Sequence, residues 1–81
     1  MTHDSVRKAL SELNGERDVS VGFVGVYPSP NGPASNVLEI KRAMLIPDEA
    51  DHLVKVTDGT SIFILDAERI AWIRIGLKKV H

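Results

Sequence analysis

Apolar residues recur along this chain at two different spacings, and the change from one to the other marks its organisation. Near the N-terminus, Val6, Ala9, Leu10 and Leu13 follow the i, i+3, i+4, i+7 pattern. That spacing puts them on one face and predicts an amphipathic helix over about 4–14. Asp4 is placed to cap its start, and Asn14-Gly15 to stop it, since glycine takes the left-handed conformation at little cost. A helix this short is marginal alone and must dock its stripe on the rest of the chain.

Beyond residue 17 the period falls to two. Val19, Val21 and Phe23 alternate with Ser20, Gly22 and Val24, predicting a strand over 18–27 in which Gly22 and Gly25 signal bending or close backbone approach. Over 37–46, Leu38, Ile40, Met44 and Ile46 share a face that Arg42 interrupts. Asp58-Gly59 between 52–57 and 60–65 is a hairpin signal. A two-residue turn there pairs Val56 with Ser61 and Val54 with Phe63 on the core face, and Lys55 with Ile62 and Leu53 with Ile64 on the other. A last strand spans 70–75, and a basic tail follows. The segment 28–36, Pro-Ser-Pro-Asn-Gly-Pro-Ala-Ser-Asn, reads as a long, charge-free loop. Stiffened by proline, it offers Pro28, Pro30, Asn31, Gly32 and Pro33 as a candidate partner-binding loop.

The expectation is one domain over 1–81, mostly β (α+β): a short N-terminal helix, then about five antiparallel strands. With 81 residues and no cysteine, the chain has neither disulfides nor a thiolate zinc site to support a small core. The lack of cysteine suits a reducing compartment. The first dozen residues carry Asp4, Arg7, Lys8 and Glu12, so no apolar leader is legible, and no apolar run approaches the roughly 18 residues of a membrane span. A cytoplasmic protein is expected. A formal charge of −1 shows none of the basic balance usual in nucleic-acid binders.

The order of elements, with the apolar run Ile64-Leu65, the short turn Asp66-Ala67-Glu68-Arg69 and the restart at Ile70, resembles the Sm-like and SH3-like families of small β-barrels. The resemblance implies a short helix followed by five curved strands, in a barrel or strongly curved sheet, and ring-like assembly through strand edges. The Sm-like turn usually carries a basic residue followed by glycine, where this chain has Asp66 and Ala67. The family's uridine-binding Asp and Asn have no counterpart here, so RNA binding is not carried over.

No constellation commits the chain to catalysis, a cofactor or a metal. His3, His52 and His81 have no ligand spacing, and Asp48, Glu49, Asp51 and His52 read as a solvated acidic turn. No Gly-x-Ser-x-Gly elbow is present, and the Asn31-Gly32 loop precedes a strand rather than a helix. Lys41, Arg42, Arg74, Lys78 and Lys79 are a candidate basic patch. The surplus lies in hydrophobicity. Ile62-Phe63-Ile64-Leu65 and Ile70-Ala71-Trp72-Ile73 place apolar residues on both faces of their strands. A sheet with one wet face would alternate instead. Ile70, Trp72, Ile62 and Ile64 are therefore candidate interface residues against a second copy of the chain. The reading is a self-associating small β-barrel interaction or adaptor module that also takes a protein partner. The alternatives are an Sm-like RNA-binding protein and, last, a small-ligand binder or enzyme.

Overall fold

The structure, a computed structural model, describes residues 1–29 and 32–77, with 26–29 and 32–35 described through their backbone alone. One helix, α1 (His3–Leu10), precedes β1 (Asn14–Ser29), β2 (Gly32–Leu45), β3 (Val54–Thr57), β4 (Ile62–Leu65) and β5 (Ile70–Ile75), with a 3-10 turn at Ala67–Arg69. The strands form one antiparallel sheet in the order β4-β3-β2-β1-β5. The mostly β architecture expected from the periodicities is what the chain adopts.

The helix is shorter than its stripe. Thr2, not Asp4, is the N-cap: its hydroxyl accepts from the Ser5 N–H at 3.1 Å. Val6 and Leu10 are fully buried, and Leu13 enters the same core from beyond the helix end. Asn14-Gly15 opens β1 instead of closing α1; Asn14 pairs with Met44, and Gly15 takes φ +90° at the strand entrance.

β4 and β5 lie at opposite edges of the sheet, yet only Asp66 and the Ala67–Arg69 turn connect them. Flat, a sheet of five strands would hold its edges about 19 Å apart. A 3-10 turn advances only about 2 Å per residue. The sheet must therefore curl, and α1 packs beside β2, β3 and the 3-10 turn on its inner side. Val19, Val21, Ile40, Val54, Val56 and Leu65 meet the helix there. No ladder joins β4 to β5 among the described residues, so the sheet is curled but not closed by hydrogen bonds.

Two bulges change which residues reach that core. Arg17 pairs with Ala43 and Val19 with Ile40, so Asp18 stands opposite both Lys41 and Arg42. Arg42 takes φ +47°, and its N–H donates to the Asp18 carboxylate at 2.9 Å. One extra residue reverses the alternation beyond it. Ala43 is fully buried and Met44 is exposed, the reverse of the plain period-two reading. The second bulge lies at Ala71: Gly22 pairs with Trp72, but Phe23 pairs with Ile70. It turns Ile70 into the core, where it is 2% exposed. Ile70 therefore leaves the candidate interface.

The β3–β4 register differs from the expected one by two residues: Val56 pairs with Phe63 and Val54 with Leu65. A shift of two keeps each residue on its expected face. Its cause is the turn, which spans four residues. The Asp58 carboxylate accepts from the N–H groups of Thr60 (2.8 Å) and Ser61 (2.7 Å), and the Thr57 hydroxyl donates to the Ser61 carbonyl at 2.7 Å.

The expected loop at 28–36 is largely strand. Tyr27 pairs with Ser35 and Ser29 with Gly32, while Pro30 and Asn31 lie outside the described residues. β5 follows β1 only to Phe23, and β3 joins β2 only at Met44 and Leu45. The segments 24–29 of β1 and 32–37 of β2 thus run past β5 and β3 as a two-stranded ribbon. No further ladder flanks 25–29 or 32–36 among the described residues, and a proline, which has no N–H, is tolerated at such a sheet margin.

Candidate functional site

The outer face of the sheet is built in rows set by the pairing register. Val37, Gly22 and Trp72 make one row across β2, β1 and β5; Glu39, Ser20 and Arg74 make the next. Lys41, Asp18 and Gly76 follow, with the Gly76 N–H donating to the Asp18 carbonyl at 2.9 Å. The central strand contributes short side chains and its neighbours long ones, so the face is hollowed along β1. The trough, about 300 Å³, is lined by Asp18, Ser20, Glu39, Lys41, Arg74, Gly76 and Leu77. At its head the Trp72 indole covers Gly22, occupying the space a Cβ there would need.

Lys41 forms ion pairs with Glu39 and with Asp18 (3.4 Å) across the trough. The Arg42 N–H, and after it Lys41, hold the Asp18 carboxyl below the usual aspartate range, while Glu39 first and Asp18 second raise the Lys41 ammonium. The predicted basic patch is therefore only partly assembled. Lys41 and Arg74 share the trough, but Lys41 is neutralised by two carboxylates. Arg42 stands exposed at the bulge, and Lys78 and Lys79 lie outside the described residues. Asp18, Ser20 and Glu39 carry no motif that marks them as site residues in the sequence. The alternation of Ser20 and Gly22 on one face of β1 is legible in sequence, but their long neighbours on β2 and β5 emerge only from the register.

The second feature of the outer face is apolar. Ile62 and Ile64 on edge strand β4 are each 61% exposed, and Met44 stands beyond Thr57 in the row that begins with Ile62. On the other edge Trp72 is 44% exposed. Three of the four candidate interface residues thus face outward.

The acidic connection between β2 and β3 serves as an anchor. Arg7 of α1 pairs with Asp48 at 2.9 Å and donates to the carbonyls of His52 (2.6 Å) and Leu53 (3.0 Å). The Lys55 ammonium bridges Glu49 and Asp51, both at 2.7 Å. No group of three or more His, Asp or Glu residues suited to a metal ion occurs among the described residues. Lys55, followed by the Leu53 N–H, lowers the Asp51 carboxyl, and the N–H groups of Ser61 and Thr60 lower Asp58.

Asp18, Asp51 and Asp58 are all depressed from the ordinary aspartate value of 3.8 in the fold. Their stabilisation is complete above that value and is lost as pH falls through the lowered ones. Thermal unfolding followed by circular dichroism should give a midpoint that holds steady from pH 7 to about pH 5 and falls below about pH 4. Asp58→Asn should flatten that fall, because its amide oxygen still accepts in the turn but no longer titrates. An unaltered acid limb in the variant would remove Asp58 from the account.

No helix among the described residues is long and apolar enough to cross a membrane. Compared with protein-family models, curated proteins and solved structures, the chain matches none.

Proposed function

We propose that this chain is a self-associating β-sheet interaction module of the small Sm-like or SH3-like type, whose copies join through the β4 edge. The observation that carries the reading is the exposure of Ile62 and Ile64, 61% each, on a strand at the margin of the sheet. Natural sheet edges are blunted by lysine, proline or a bulge, because a bare edge templates pairing with another chain. The segment Ile62-Phe63-Ile64-Leu65 carries none of these. Pairing it with a second copy would satisfy its outward backbone groups and bury two isoleucines. Each such side chain is worth roughly 1.5–3 kcal/mol when fully removed from water. The other edge is less inviting, since β5 is bulged at Ala71 and carries Arg74. A cytoplasmic setting belongs to the same reading, supported by the absence of cysteine. The assembled surface, with the segments 24–29 and 32–37 that run past the neighbouring strands, is the part of the module offered to a protein partner.

Sedimentation equilibrium at micromolar concentration and at two salt concentrations tests this. The expected mass is a salt-insensitive multiple of the single chain, reduced to that of one chain in the double variant Ile62→Lys/Ile64→Lys with its circular dichroism unchanged. A wild-type monomer at both salt concentrations would refute the reading.

A further inference from the structure

The trough along β1 is independent of the β4 edge and differs from it in chemistry. Of its four charges, Lys41, Glu39 and Asp18 satisfy one another, and Asp18 also accepts from the Arg42 N–H. Arg74 is the exception: its guanidinium forms no ion pair and no side-chain hydrogen bond among the described residues. The register places Arg74 directly across from Ser20, which sits 8% exposed at the floor of the trough. The Ser20 hydroxyl likewise has no side-chain partner among the described residues. Leu77, 91% exposed, stands at the mouth.

We propose that this trough binds a monocarboxylate, with the carboxylate on Arg74 and Ser20 and its carbon chain against Leu77. A guanidinium presents two parallel donors that match the two oxygens of a carboxylate, and a hydroxyl supplies a third donor. The carboxylates of Glu39 and Asp18 stand in the same hollow. Lys41 offsets them only in part, so a second negative charge on the ligand meets repulsion. The site therefore selects a singly charged group over a phosphate dianion. The volume, about 300 Å³, admits a short acid or the last residue or two of a peptide. These two sources share one chemistry and are separated by experiment.

The test is isothermal titration calorimetry of the full chain. The titrants are butyrate, inorganic phosphate at pH 8, a short leucine-ended peptide with a free C-terminus, and the same peptide amidated. Fluorescence of Trp72, the only tryptophan and two residues from Arg74 on the same face, places the site. Butyrate or the free peptide should bind saturably, with phosphate and the amide at least about tenfold weaker. Arg74→Gln should weaken binding about tenfold or more, and Lys8→Gln, on the exposed side of α1 and outside the trough, should leave it unchanged. Butyrate binding as well as the peptide identifies a free small acid; a tighter peptide identifies a chain terminus. Absence of saturable binding by either carboxylate, equal binding of phosphate, or retention of affinity in Arg74→Gln overturns the proposal. The oligomer mass is a separate measurement, so either proposal can fail without the other.

Discussion

Leu10→Ala should remove a large share of the protein's stability. Leu10 is fully buried at the end of α1, facing the inner side of the sheet. Replacing a buried leucine by alanine costs about 3–5 kcal/mol, through lost transfer free energy and the cavity left behind. A domain of this length typically holds between about 4 and 12 kcal/mol in total. The helix has only eight residues and no independent stability, so losing its deepest contact also loosens its docking. Urea unfolding should show the midpoint falling steeply, while Lys8→Ala, on the exposed side, should shift it little. A loss below about 1 kcal/mol for Leu10→Ala would mean the helix is peripheral to the core.

Gly22→Val should be the most disruptive change on the outer face. Valine favours strands in general, and Gly22 lies within β1, so propensity alone predicts stabilisation. Geometry predicts the opposite, because the Trp72 indole occupies the space of the missing side chain. Expelling the ring should cost about 1–3 kcal/mol and expose the indole, shifting its emission to longer wavelength. In a Trp72→Ala background the same substitution should become neutral or stabilising. That sign reversal, read from a double-mutant cycle, isolates the contact between the two positions. Equal effects of Gly22→Val in both backgrounds would sink the explanation.

Several parts of this molecule were legible from the order of its residues. The stripe Val6, Leu10 and Leu13 is local, because a helix brings i and i+4 together whatever surrounds it. The period of two announced the strands, and Asp58-Gly59 announced the turn between β3 and β4. Parity survived there even though the Asp58 side chain lengthened the turn, since a two-residue shift leaves each side chain on its face. The outward placement of Ile62, Ile64 and Trp72 was also open to sequence reasoning, because an apolar run without alternation leaves one face unaccounted for.

Other features were decided only by the assembled sheet. Arg42 looked like an interruption of an apolar face; it is the extra residue of a bulge, and beyond it Ala43 rather than Met44 enters the core. The bulge at Ala71 does the same for Ile70. The prolines at 28 and 33 read as a loop, yet their backbone lies within β1 and β2. The trough exists because short residues on β1 are flanked by long ones from strands some 20 and 50 positions away in sequence. Helical and strand periods are properties of a single segment, and the chain states them outright. A bulge or a cross-strand row is a count of one strand's residues against another's, and that count is settled only when the two strands pair.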